Sequence, residues 1–293
     1  MIKNLSLTAL LLVMPFTPVA AQDMDETLSR FKETGQITIG HRESSSPFSY
    51  VDTTDGPIGF SIDLCREIVD QIGETLGVAE PEINFVPVTS QNRIILVQNG
   101  TVDLECGSTS NTAERQKQVA FSYSFFTVAL RMMTRTGSDI DEFADMADKT
   151  FVIPSGSTAD EAVKRFAETS GFTPNITYAN ENAAALLFVQ SERADAFVSD
   201  DILLAGLIAN SPDPSALEVV GETLSEDPYG LMMRREDTAF QVQVDSILKG
   251  MMADGTYETL YSKWFLSPVP PRDINLGYEM SPAVKALITN ASD

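Results

Sequence analysis

TSQNRIILVQNGTVDLECGSTSNTAERQKQVAFS, residues Thr89 to Ser122, holds one full beat of the pattern from which the fold follows. Arg93 to Gln98 is a short apolar run with helical character, and Asn99-Gly100 stops it. Val102 to Cys106 then reads as a buried strand. Beyond it the chain enters a hydroxyl-rich turn, Gly107-Ser108-Thr109-Ser110, with Arg93 and Arg115 on either side. A third arginine, Arg42, opens an earlier loop, HRESSSPFSY (His41 to Tyr50). Guanidinium groups among short hydroxyls suit the holding of carboxylates through paired, charge-assisted hydrogen bonds. Three such groups point to a small ligand with two acid groups.

The same beat repeats outward in both directions. Gln36 to Gly40 reads as a strand, Gly59 to Leu76 as an amphipathic helix, and Ile83 to Val88 as a second strand. This alternation implies a parallel sheet with helices on its faces. It restarts later: strand Phe151 to Ile153, helix Ser157 to Ser170, strand Asn175 to Tyr178, helix Asn182 to Ser191, strand Ala194 to Val198, helix Ile202 to Ala209. Two such sets in series suggest two α/β lobes. Two β-prone runs, Thr127 to Thr134 and Asp227 to Arg234, are placed to carry the chain across and back, making the second set an insertion in the first. Two amphipathic helices follow, Thr238 to Met252 and Thr256 to Trp264, and Pro268, Pro270 and Pro271 are expected to end regular structure. Ligands of open α/β sheets bind beyond the carboxyl ends of the strands, so two facing lobes would form a cleft.

The N-terminus reads as an export signal. Lys3 is followed by the apolar run Leu5 to Val13 and by small residues at Val19-Ala20-Ala21, ahead of Gln22. The run is too short for a membrane anchor, and Pro15 and Pro18 interrupt it. No cysteine follows the small residues, so a lipid anchor is not indicated, and an exported, soluble, monomeric protein is expected. The formal charge of −22, one unit more negative without Lys3, repels nucleic acid and anionic membranes. It also repels an anionic ligand at a distance, but salt screens this beyond about 8–10 Å, so a local arginine cluster can still prevail. About 270 residues remain after cleavage, enough for two domains.

Cys65 and Cys106 are the only cysteines. An oxidising compartment permits a bond between them. Cys65 also lies on the apolar stripe Ile62, Cys65, Val69, Ile72, where a free buried thiol is common, and the free reading is preferred here. A single histidine, His41, and no cysteine cluster argue against a structural zinc site, and no cofactor is expected.

Three blocks, HRESSSPFSY, TSQNRIILVQNG and DLECGSTSNTAERQKQVAFS, resemble the periplasmic solute-binding proteins of ABC-type amino-acid uptake systems, polar amino-acid branch. Within that branch they are most similar to the glutamate/aspartate-binding proteins. SDDILLAG (Ser199 to Gly206) and DGTYETLYSKWF (Asp254 to Phe265) match the wider family, and the resemblance spans nearly all of the exported chain. It implies the two-lobed, type II periplasmic binding protein fold: two parallel-type sheets, a ligand cleft and two crossover strands. The domains it implies are a signal peptide over 1–21, a discontinuous first lobe over 22–126 plus 228–293, and an inserted second lobe over 127–227. It also implies periplasmic capture of L-glutamate or L-aspartate and delivery to a membrane permease with its ATPase.

Residue by residue, the resemblance gives Arg115 to the ligand α-carboxylate, with Ser108, Ser110 and Thr158 near it, and Asp200 to the ammonium. Arg42, Ser90 and Arg93 match the set that holds the side-chain carboxylate. Each has an ordinary reading: surface ion pairs for Arg42 and Arg93, a solvated helix arginine for Arg115, turn chemistry for the serines, helix caps for Thr158 and Asp200. Where members of the group carry histidine, this chain has Asn182, which cannot carry charge, so glutamine or asparagine could share the site. A second alternative is an enzyme resembling cyclohexadienyl dehydratases, with Glu43 or Glu105 as proton donor. No nucleophile elbow, phosphate loop or metal set supports catalysis.

Overall fold

The computed structural model describes residues 25–52 and 56–291; the export signal read over Met1 to Ala21 lies outside them. Helix α1 (Glu26–Thr34) begins where the Asp25 carboxylate accepts the Leu28 N–H at 3.1 Å. It ends at Gly35, whose φ of +71° suits a left-handed cap. Strand β1 (Gln36–His41) leads into an antiparallel meander of β2 (Ser44–Ser45), β3 (Ser49–Asp52) and β4 (Gly56–Ile58). Then come α2 (Phe60–Leu76), β5 (Glu82–Pro87), α3 (Arg93–Gln98), β6 (Leu104–Glu105), α4 (Ala113–Gln116) and β7 (Ala120–Phe121). Strand β6 is shorter than expected because the Asp103 carboxylate, rather than the backbone, takes the Thr38 N–H at 2.9 Å.

Strand β8 (Phe126–Arg135) opens the second set: β9 (Thr150–Pro154), α5 (Ala159–Ser170), β10 (Asn175–Ala179), α6 (Asn182–Gln190), β11 (Ala196–Asp200), α7 (Asp201–Asn210) and β12 (Leu217–Val220). The chain returns through β13 (Glu226–Tyr229) and β14 (Met232–Met233). It finishes with α8 (Thr238–Asp254), α9 (Thr256–Phe265), β15 (Pro268–Val269), β16 (Ile274–Asn275) and α10 (Pro282–Ala291).

Two sheets result. One runs β5-β1-β6-β14-β7 and the other β10-β9-β11-β8-β12. Each has a parallel centre, β5-β1-β6 and β10-β9-β11, as the strand–helix alternation requires. The expectation of parallel sheets does not extend to their flanks. β14 and β8 run antiparallel to their neighbours, because each is a returning segment rather than the end of a strand–helix–strand unit. Phe126 to Ala129 of β8 pairs with Tyr229 to Glu226 of β13, and this ribbon joins the two sheets. Its Phe126 and Tyr229 rings sit in an aromatic cluster with Phe48, 4.9 and 5.1 Å from its centroid, which anchors the ribbon in the first core.

Two expectations are overturned. The cysteines are not free: Cys65 and Cys106 form a disulfide. The α2 stripe faces the sheet, so it carries Cys65 onto Cys106, the residue just past β6; both cysteines are fully buried. Closing a loop over a sequence separation of 41 stabilises the fold by about 4 kcal/mol in the chain-entropy account. Regular structure also continues past the prolines. Helix α10 starts with Pro282 at its first position, where the missing N–H costs nothing, and packs Val284 into the first core. The Tyr123 hydroxyl donates to Leu287 O at 2.8 Å, and Tyr278 donates to Asp201 at 3.1 Å. Ser281-Pro282 was the legible helix-start signal.

Candidate functional site

Parallel strands release their chains at one edge, and the residues picked from the sequence sit at those edges. Arg42 follows β1, Ser90 lies beyond β5, and Arg93 is the first residue of α3. Ser108 and Ser110 follow β6, and Arg115 lies in α4. From the other sheet come Thr158 at the N-cap of α5, Asn182 at the start of α6 and Asp200 at the end of β11. All nine line one narrow cleft between the sheets, with a cavity volume of about 20 Å³. Ser157, Ser199 and Leu203 line it too and were missed, since nothing separates them from ordinary turn and core residues.

The three arginines are buried: Arg42, Arg93 and Arg115 are 1%, 2% and 8% exposed. Arg42 donates to Ser90 Oγ at 3.1 Å and to Glu181 at 2.8 Å. Arg93 donates to Thr109 Oγ1 and, at 3.3 Å, to Ser108 O; Glu105 stands 3.8 Å away. Arg115 donates to Ser110 O at 3.0 Å and, across the cleft, to Gly156 O at 3.1 Å. So Arg42 and Arg93 have carboxylate partners, Glu105 buried and Glu181 half-buried, rather than exposed surface pairs, and Arg115 is not solvated. Arg42 Nε, Arg93 Nε and the hydroxyls of Ser108 and Ser157 are buried without a hydrogen-bond partner among the described residues. Polar groups of that kind favour an acceptor.

Crowding is visible in the acid–base balance. Burial first, then the charge of Arg115, lowers Arg93 to about 9; Glu105 opposes this and Arg42 adds to it. Burial also lowers Arg115, against the pull of Glu105, Asp200 and Asp227. An anion between these groups would favour the charged form of both guanidiniums.

Asp200, 8% exposed, does not cap α7. Asp201 accepts the Ile202 N–H at 2.8 Å instead, leaving Asp200 to accept the Tyr229 hydroxyl. Burial pushes Asp200 up to about 7, with the Tyr229 hydrogen bond opposing. Thr158 holds an N-cap position but makes no side-chain cap bond. Asn182 donates to Ser45 Oγ at 3.1 Å and Ser44 O at 3.3 Å, across to the meander. Glu181 and Tyr229 shape the site and had no sequence signal, because each acts through a partner distant in the chain. Neither acid considered as a proton donor lines the cleft: Glu43 is exposed, and Glu105 is buried, accepting the Thr109 hydroxyl at 2.6 Å.

Residues 37–267 match the family described as bacterial extracellular solute-binding proteins, family 3. The chain is 39% identical over 274 residues to the glutamate/aspartate import solute-binding protein of Escherichia coli K12, covering 94% of this chain and 91% of that one. It is 40% identical over 287 residues to the L-glutamate/L-aspartate-binding protein of Pseudomonas aeruginosa PAO1, covering 98% and 95%. Among solved structures, an ancestral amino acid-binding protein described as a precursor of cyclohexadienyl dehydratase superposes with a TM-score of 0.71 at 29% identity, covering 82% of this chain and 99% of that one.

Proposed function

The chain belongs to family 3 of the bacterial extracellular solute-binding proteins, and from that premise we propose that it captures L-glutamate or L-aspartate and delivers it to an ABC-type permease and its ATPase. The observation that carries the reading is the convergence of Arg42, Arg93 and Arg115 with Asp200 in one buried cleft. Arg42 and Arg93 have Glu181 and Glu105 beside them, yet each keeps a buried guanidinium N–H without a partner among the described residues, so both can still serve a ligand carboxylate, while Arg115 and Asp200 suit an α-carboxylate and an ammonium. Arg115 takes the α-carboxylate, with Ser108, Ser110 and Thr158 beside it; Asp200 takes the ammonium. Arg42, Ser90 and Arg93 take the side-chain carboxylate, with Asn182 at that end. The lobes are 22–126 plus 228–293 and 127–227, hinged at the β8–β13 ribbon, and the protein acts as a periplasmic monomer. The curated relatives above are binding and import proteins rather than enzymes.

Calorimetry of ligand-stripped protein against the amino acids tests the reading. L-glutamate and L-aspartate are expected to bind tightest and the amides more weakly; glutamine tighter than glutamate would overturn it.

Protonation gives a second test. With its acidity shifted from 3.8 to about 7 by burial, Asp200 holds a proton over most of that range in the folded chain. The raised value means protonation of Asp200 stabilises the fold fully below pH 3.8, and this contribution is lost as pH rises through about 7. An ammonium recruits the ionised form, so binding releases that proton. Affinity should therefore climb between pH 3.8 and about 7 and then level off. Titrations at about pH 6 in buffers of different ionisation enthalpy read the released proton directly. Binding there with no proton release would remove Asp200 from the ammonium.

A further inference from the structure

Arg42 does not stand alone at its end of the cleft. Its guanidinium, 1% exposed, donates to Glu181 Oε2 at 2.8 Å, and Ser44 donates to the same oxygen at 3.0 Å. Glu181 belongs to the opposite side, at the N-cap of α6, and lies 139 positions away in sequence. The contact therefore exists only when the two sides of the cleft meet. Glu181 Oε1 is buried without a hydrogen-bond partner, so this carboxylate retains accepting capacity inside the site.

The charges follow. If Arg115 meets the α-carboxylate and Asp200 the ammonium, two arginines remain at the side-chain end, Arg42 and Arg93. They already face two resident carboxylates, Glu181 at 2.8 Å and Glu105 at 3.8 Å. That end is balanced before any ligand side chain arrives. An uncharged amide adds no net charge there; a second carboxylate must share or displace Glu181 on Arg42.

We propose that Glu181 is a specificity-determining residue: a resident counter-ion that sets how strongly the cleft prefers an acid over its amide. This rests on the reading of the site given above. The guanidinium fork has five donors, so Arg42 can serve Glu181 and a ligand oxygen together, but the two anions then repel at close range. Glu181 thus weakens the acid more than the amide, in the same direction as the uncharged Asn182 next to it.

Glu181→Gln removes the charge and keeps an oxygen for Arg42 and Ser44. The affinities for L-glutamate and L-glutamine, measured by calorimetry at neutral pH, give a ratio for each protein. In E181Q that ratio is expected to move toward glutamate by about tenfold, as for loss of a nearby, half-buried like charge. Glu181→Ala should move it the same way, with lower affinity for both ligands because the contact across the cleft is gone. A residue that only latches the cleft would change both affinities by one factor; a ratio that stays put or moves toward glutamine overturns the inference. Wild-type protein that binds neither ligand would fault the functional reading and the inference with it. Wild-type protein that binds both, with an unmoved ratio in E181Q, faults the inference alone.

Discussion

Arg93→Ala is expected to lower the affinity for L-glutamate by on the order of 30-fold or more. Arg93 is 2% exposed, and its charge is held at a cost that burial and Arg115 impose together. Bringing a carboxylate to it recovers that cost, so truncation loses about 2–5 kcal/mol, as for one partner of a buried hydrogen-bonded charge pair. The conversion of that loss to affinity gives the fold-change. Arg93→Lys should fall between, since it keeps the charge and loses the fork. Glu105 keeps its hydrogen bond from Thr109 in either variant, and a thermal melt alongside the titration separates lost folding from lost binding. Wild-type affinity in a folded Arg93→Ala protein would show that the side-chain carboxylate sits elsewhere.

Gly206→Ala should weaken binding comparably while leaving the fold of each side intact. Gly206 lies in α7, where alanine is the better helix former. A Cβ there would lie 2.4 Å from Ser46 O and 3.1 Å from its carbonyl carbon, backbone atoms on the other side of the cleft. A backbone carbonyl in that position cannot step aside as a side-chain tip would, so the two sides must stay further apart. Overpacking of this kind costs about 1–3 kcal/mol, or roughly 5- to 150-fold in affinity if closure is needed to bind. Gly156 makes a similar approach, to Ser90 O at 2.8 Å, but its φ of +77° would add backbone strain, so Gly206 is the cleaner probe. Small-angle scattering with saturating ligand should find Gly206→Ala more extended than wild type. Unchanged affinity and unchanged shape would mean that the two sides need not meet this closely.

The strands and helices were legible because their signals are local. The α2 stripe of Ile62, Cys65, Val69 and Ile72 repeats at helical spacing and is fully buried. Asn99-Gly100 stops α3 where expected, with Gly100 at φ +74°. The cleft residues were legible chiefly through the resemblance of the motifs that carry them, and most lie at or beyond the carboxyl end of a parallel strand, the edge to which a sheet delivers its loops. The helix after the prolines was passed over because it buries only Val284, too little for a periodic pattern to stand out.

What the sequence determined by itself was therefore the order of elements and the set of side chains that gather in the cleft. The partners were decided by tertiary structure: Cys65 with Cys106, Glu181 with Arg42, Tyr229 with Asp200. These pairs lie 41, 139 and 29 positions apart, far beyond the few residues over which helix and strand periodicity carries information. Which carboxylate reaches which guanidinium is fixed by how two separate sheets face each other, and no single stretch of chain encodes that distance.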